Sequence, residues 1–335
     1  MRGRIKIAPQ PEGMTMTRIA SWLAILIVSL AAGAAGAQQY PSKPVKIIVG
    51  FAPGGGSDFI ARVIAQKLTE RLGTQVIVEN RPGAGSVLGS EVAVKSPPDG
   101  YTLLLTPASY TVNANVYKLS FDALNDITPI VQLSRGPYVV AVHPSVPAKT
   151  LQELVALAKK EPDKLAYASS GNGSHVHVAT EYFLYTAGIK ITHVPYKGTG
   201  PALNDTIAGT TQLIFGSVAS ALQYVKSGRL RALAVTTPKR IAAAPDVPTV
   251  RESGYPSYEV TNWHGLVGPK GLSKDIVERL NKEANEALKS KDAEKVLAGD
   301  GLEPAGGSAA EFAVILKNEV ARWGEVVRQA KVKVD

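Results

Sequence analysis

Four short glycine-rich segments hold the residues best suited to chemistry: Gly54-Gly55-Gly56-Ser57-Asp58, Ser169-Ser170-Gly171-Asn172-Gly173-Ser174, Tyr196-Lys197-Gly198-Thr199-Gly200 and Gly216-Ser217-Val218-Ala219-Ser220. Glycine lets a ligand approach the main chain closely and supplies left-handed conformations, which a valine at Gly55 would resist. Where such a turn opens a helix, the unpaired N–H groups carry partial positive charge and form an anion site, to which serine, threonine and asparagine add adjustable hydrogen bonds. The plainer reading is structural: strand-to-helix turns need glycine, and Ser57, Asp58 and Ser174 are residue types that cap helices. Four such turns in one chain favour a ligand cleft. Lys197 is the one cation among them, so a bound carboxylate would be held chiefly by dipoles, and nothing there supplies a general base. Asp58, at a helix start, and Asp205, early in the helix after Pro201, stay open between backbone support and ligand contact.

Other chemistries lack their residues. Gly54-x-Gly56 with Glu79 after the next strand imitates a dinucleotide fingerprint, but Phe59 stands where close helix packing needs Gly or Ala. No Gly-Lys-Ser/Thr follows a glycine loop, and no serine sits in a G-x-S-x-G elbow. His175 and His177, two apart, diverge on a helix and make a poor metal pair. His143, His193 and His264 read as packed or surface residues. No cofactor, metal or catalytic residue is expected.

The elements that would position these turns follow from periodicity. Residues 45–51 form an apolar run, and Phe59, Ile60, Val63, Ile64, Leu68 and Leu72 then recur at helical spacing up to Gly73. The pattern repeats with a strand at 76–78, a turn at 81–85, a helix at 86–95 and a strand at 101–105. Runs that are apolar on both faces and alternate with amphipathic helices predict an α/β fold with a parallel sheet covered on both sides. Residues 106–129 read as loop-rich. The run 130–143, broken at Arg135-Gly136-Pro137, reads as a first crossing between domains. Thr150-x-x-Glu153 predicts a capping box opening a helix to residue 160, followed by strands at 165–168, 191–194, 213–215 and 230–235. Residues 245–256 read as a linker, 263–267 as the return crossing, and two helices, capped at Ser273 and by Ser308-x-x-Glu311, close the chain.

The 335 residues, 45% hydrophobic and 19% charged, describe a packed chain long enough for two domains. Its 37 basic and 28 acidic residues alternate without long like-charge blocks, and aromatic residues do not interleave with basic runs, so a nucleic-acid partner is not expected. The absence of cysteine excludes disulfides, thiol catalysis and thiolate metal sites. The apolar run 19–35, preceded by Arg18 and followed by Ala35-Gly36-Ala37, predicts an export signal cleaved after Ala37. A start at Met14 or Met16 would place Arg18 in a short basic leader. Two crossings divide the exported chain into a discontinuous first lobe, 38–135 and 261–335, around a second lobe, 136–260. The turns of both should face a cleft.

Taken in order, Pro53-Gly-Gly-Gly-Ser-Asp58, Glu79-Asn80-Arg81-Pro82-Gly83-Ala84-Gly85, Asp99-Gly100-Tyr101-Thr102-Leu103, Val194-Pro195-Tyr196-Lys197-Gly198 and Pro201-Ala202-x-x-Asp205-x-x-x-Gly209 resemble the Bug-type extracytoplasmic receptors of tripartite tricarboxylate transporters. The resemblance spans essentially the whole exported chain. It implies a two-lobed periplasmic-binding-protein fold of the type II, Venus-flytrap kind with two crossover strands, closing on a small carboxylate and delivering it to integral permease subunits in the membrane. By motif it implies ligand contacts from Phe51, Gly54, Gly55, Ser57 and Asp58 in the first lobe and from Ser170, Asn172, Ser174 and Thr199 in the second, partly through water. Thr106 and Ser109 fall at the variable end of the pocket, with Asp205 as a further candidate contact. Ser120-Phe121-Asp122 departs from the Pro-Tyr-Asp common in the family, in a loop away from these residues. The identity of the carboxylate is not transferable. The same fold could serve a ligand sensor in place of a transporter, and an exported α/β enzyme is the remaining alternative.

Overall fold

The apolar runs pair into two separate sheets in the computed structural model, which describes residues 40–299 and 301–334; the expected signal at 1–37 lies outside them. One sheet comprises β1 (Val45–Val49), β2 (Val76–Asn80), β3 (Thr102–Pro107), β4 (Ile127–Gly136), β10 (Asn262–Pro269) and β11 (Glu303–Gly306), in the order β11-β4-β10-β3-β1-β2. The other comprises β5 (Tyr138–Val142), β6 (Ala166–Ser169), β7 (Thr192–Pro195), β8 (Leu213–Ser217) and β9 (Arg231–Val235), in the order β7-β6-β8-β5-β9. β1, β2 and β3 run parallel, as do β6, β7 and β8. β10 pairs antiparallel with both β3 and β4, and β5 pairs antiparallel with both β8 and β9. The sheets are therefore mixed, where periodicity predicts parallel ones, because strands at the crossings arrive from the opposite lobe and run against their neighbours.

The helices are α1 (Gly56–Leu72), α2 (Val87–Val94), α3 (Ser109–Val116), α4 (Leu151–Lys160), α5 (His175–Ala187), α6 (Thr199–Ile207), α7 (Val218–Lys226), α8 (Lys274–Leu288), α9 (Lys291–Gly299) and α10 (Ala309–Gln329). α3 lies inside the stretch read as loop-rich. It starts without a side-chain cap and contains Thr111, Val112, Asn113 and Asn115, weak helix formers. Burial holds it in place: Tyr110 and Val112 are in the core, and the Asn113 amide donates to the Gly85 carbonyl at 3.0 Å. α9 and β11, between the two closing helices, also escape the sequence pattern. At α4, Thr150 accepts from the Glu153 amide at 3.1 Å, but the Glu153 carboxylate takes the Lys149 amide, so the expected box is only half formed. At α10 the box of Ser308 and Glu311 is complete.

The two crossings run side by side. Only Pro137 separates β4 from β5, and the return passes Val260 before β10. Thr236 ties them: its hydroxyl accepts from the Tyr138 amide at 2.9 Å and donates to the Val260 carbonyl at 2.7 Å. α10 also bridges the lobes. Its first half buries Phe312 and Leu316 in the core of the first sheet, and its second half buries Trp323 and Val326 in the cluster around β5 and β8. Among the described residues no helix is long and apolar enough to cross a membrane.

Candidate functional site

The turn between β1 and α1 is shaped from behind by one carboxylate. Buried Asp58 accepts from the Gly54 amide at 3.1 Å, from Arg62 at 3.0 Å and from the Asn80 side-chain amide at 3.0 Å, and Asn80 also donates to the Phe51 carbonyl at 2.9 Å. Burial alone would raise the Asp58 carboxyl, but Arg62, the Gly54 amide and Asn80 together outweigh it and hold the group below the usual carboxylate range. Asp58 is thus a buttress of the turn. The left-handed residue is Gly54, with φ 84°. Gly55, expected to need that conformation, sits at φ −96°, ψ 172°, which any residue adopts, and no side chain caps α1 above it. The first-turn amides of α1 therefore face outward without a side-chain partner.

They open onto a small cavity of about 20 Å³. Phe51, Gly55, Gly56 and Ser57 form one wall, and Pro107 and Ser109, at the start of α3, form the next. The second lobe contributes Ser170, Val176 in the first turn of α5, Thr199 at the start of α6 and Ser217 just before α7. Tyr138, Asn262 and His264 close it from the crossing strands. Five helix starts converge on this space, each presenting the positive end of its dipole, and none of the lining side chains carries a formal charge. The hydroxyls and amides can adapt to an anion's oxygen atoms, and a helix-start cluster binds anions without a cationic side chain. A space of this size takes one or two waters.

The lining histidine is locked in a chain of hydroxyls. His264 Nε2 lies 3.2 Å from Ser57 Oγ, and its Nδ1 lies 3.2 Å from Ser134 Oγ. Burial lowers its pKa to about 4, so the ring is neutral near pH 7. Deeper still, Tyr138 Oη is 2.8 Å from His175 Nδ1 and donates to Asn262 Oδ1 at 3.1 Å. Burial, with Arg322 and His264 nearby, lowers His175 to about 3.

The second-lobe turn has its own support. The rings of His177 and His193 stack at 4.0 Å, and Tyr167 stacks on His193 at 4.8 Å. His177 Nδ1 accepts from the Gly173 amide at 3.2 Å, and His193 Nε2 is 2.6 Å from Ser169 Oγ, so both rings brace the 169–174 turn. Burial lowers His177 to about 4 and, with His177 adjacent, His193 to about 3. Among the described residues no cluster of three metal-ligating side chains occurs.

Of the residues singled out from sequence, Phe51, Gly55, Ser57, Ser109, Ser170 and Thr199 line the cavity together. Gly54 and Asp58 stand behind it. Thr106 is fully buried with its hydroxyl unpartnered, Ser174 caps α5, and Asp205 accepts from Tyr196 Oη at 2.6 Å. The Asn172 carbonyl accepts from Tyr117 Oη at 2.8 Å, one of the bonds joining the lobes; the others include Ala52 N to Lys197 O at 2.9 Å and His175 N to Ser109 Oγ at 2.9 Å. Tyr138 and Asn262 escaped the sequence reading, and His264, read as a packed or surface residue, is packed and also lines the cavity. The available signal was a polar residue inside an apolar run: the strand holding Asn262 and His264 is buried along its whole length, and a buried polar side chain needs a partner.

A larger cavity, about 510 Å³, is lined in part by Arg135, Lys239, Arg240, Glu259 and Glu303. Its charges are exposed and partly neutralised, Arg135 by Glu303 and Arg240 by Glu252, both at 3.0 Å. Among the described residues that line it, none opens a helix.

The profile of the tripartite tricarboxylate transporter family receptor matches residues 60–332. Protein BugT of Bordetella pertussis is 35% identical over 325 residues, spanning 96% of this chain and 100% of its own. Among solved structures, Rpa4515 of R. palustris with adipate is 33% identical with a TM-score of 0.85, covering 88% of this chain and 99% of its own. MatC of Rhodopseudomonas palustris with bound malate is 29% identical with a TM-score of 0.83, covering 86% and 100%.

Proposed function

The chain belongs to the tripartite tricarboxylate transporter receptor family, and from that premise we propose that it binds a small organic carboxylate between its lobes in the periplasm and hands it to a membrane permease. The observation that carries this reading is the convergence of five helix starts on one cavity lined by no charged side chain. Such a site favours a carboxylate through fixed N–H dipoles, and release stays easy because no buried ion pair has to be broken. The histidine that touches Ser57 is a weak base, because burial lowers its pKa to about 4 and so disfavours the imidazolium that proton abstraction would form. Adipate and malate bound to two relatives support the carboxylate class.

A dicarboxylate is far larger than the present space, so entry requires the lobes, divided near 135/136 and 260/261, to part about the crossings pinned by Thr236. Closure would then exclude bulk water and strengthen each dipole. Residues 1–37 would direct export and be removed after Ala37.

Calorimetry and thermal shift with mono-, di- and tricarboxylates, amino acids and neutral sugars test the reading. A cognate carboxylate at about 100 times its Kd should add about 2.7 kcal/mol of stability. A melting curve moved by a sugar and by no carboxylate overturns it.

A further inference from the structure

Asn262 is 95% buried at the start of β10 and lines the cavity, yet its side-chain nitrogen has no hydrogen-bond partner among the described residues. The bonds behind it fix which way the amide points. Tyr138 Oη has one proton and two neighbours, Asn262 at 3.1 Å and His175 Nδ1 at 2.8 Å. If the proton goes to Asn262 Oδ1, His175 donates from Nδ1 and its Nε2 is a bare lone pair. If the amide were reversed, Tyr138 would donate to His175 Nδ1, and the proton on Nε2 would be a buried donor with no acceptor. Nε2 is fully buried without a hydrogen-bond partner, and the His175 and Trp323 rings meet at 78° with their centroids 4.4 Å apart. A stranded N–H is the rarer arrangement. The first chain therefore holds, with Asn262 Oδ1 turned toward Tyr138 and both amide protons toward the cavity.

We propose that Asn262 is a specificity-determining residue: its two N–H groups, oriented by Tyr138 and His175, select ligands carrying a second acceptor oxygen beyond the carboxylate held by α1, and disfavour ligands with an ammonium there. This rests on the carboxylate reading of the cavity. Asn262 and His264 are two apart on one strand and share a face, and His264 touches Ser57 of α1, so one short ligand spans both. The group that the network fixes toward the cavity at this end, the Asn262 amide nitrogen, is a donor only, so it pairs with an acceptor oxygen and opposes the N–H groups of an ammonium.

The test uses calorimetry on the full exported chain with α,ω-dicarboxylates of four to six carbons and the ω-amino acids of matching length. Wild type should prefer the dicarboxylate at some length by at least about 100-fold. Asn262→Asp keeps an acceptor for Tyr138 but turns a carboxylate oxygen to the cavity, and should reduce or invert that preference by at least about 100-fold. Tyr138→Phe, which keeps the ring and frees the amide to turn, should reduce it by about 10-fold with the circular dichroism spectrum unchanged. Loss of the preference in both variants supports the assignment. An unchanged preference in either folded variant overturns it and leaves the carboxylate reading intact. Wild type that binds none of these acids, yet binds a neutral solute, overturns both.

Discussion

Gly200→Ala isolates closure from folding. Gly200 is the second residue of α6, with backbone angles open to any side chain, yet a β-carbon there would sit 2.6 Å from the Pro53 carbonyl oxygen and 3.2 Å from the Gly54 carbonyl carbon. Both neighbours are main chain of the other lobe, so no side chain can swing aside. Contacts of this kind below 3.0 Å are essentially unknown for real side chains, and the lobes would have to separate locally by about half an ångström or more. Overpacking of this order costs roughly 1–3 kcal/mol. The second lobe alone does not feel it, and alanine is the better helix former. The penalty therefore falls on the closed state and should weaken ligand binding by about 5- to 150-fold. Calorimetry measures the affinity, and small-angle scattering with and without ligand measures the closure. Wild-type affinity with full compaction would refute the reasoning, as would a fall in the ligand-free melting temperature large enough to account for the lost binding.

Three further outcomes follow from other contacts. Asp58→Ala removes a carboxylate that holds the Gly54 amide, Asn80 and Arg62, so it should lower stability by about 2 kcal/mol in urea titration and weaken binding as the turn loosens; a variant that loses neither contradicts its role as buttress. His175, His177 and His264 are buried neutral at about 3, 4 and 4, below the unfolded value near 6.5, so the unfolded chain takes up more protons; the stability they contribute is complete above about pH 6.5 and is lost as pH falls toward 4. With His193, also lowered to about 3, the four together should steepen the loss near pH 5 by about 5 kcal/mol per pH unit, lowering the melting temperature by on the order of 10 °C per unit, and a flat profile from pH 6.5 to 4.5 would contradict their neutral burial. Trp323→Ala should cost about 3–5 kcal/mol in denaturant titration and free His175, whose Nε2 would become reachable by water; an unchanged unfolding midpoint would show that the second half of α10 does not anchor to the second lobe.

The turns could be found in the sequence because glycine, serine and threonine clusters after apolar runs mark both the strand end and the helix start. Gly55, Ser57, Ser170 and Thr199 reach the cavity from such clusters. Asp58, Ser174 and Asp205 belong to the same motifs but are taken up by backbone amides and by Arg62, Asn80 and Tyr196, and residue type alone does not separate a ligand contact from the support behind it. α3 was hidden because its stability comes from burying Tyr110 and Val112, not from propensity. Tyr138, Asn262 and His264 were hidden for a topological reason. They sit on strands that run antiparallel at the crossings; polar residues inside a buried strand hint at Asn262 and His264, but their meeting with Tyr138 depends on pairing between strands distant in sequence.

A crystal structure with the tightest-binding carboxylate tests the central claim most directly. The account predicts one carboxylate within about 2.7–3.1 Å of main-chain N–H groups at Gly55–Ser57, directly or through one water, with no lysine or arginine in contact. A carboxylate paired instead with Arg135, Lys239 or Arg240 in the larger cavity would contradict it.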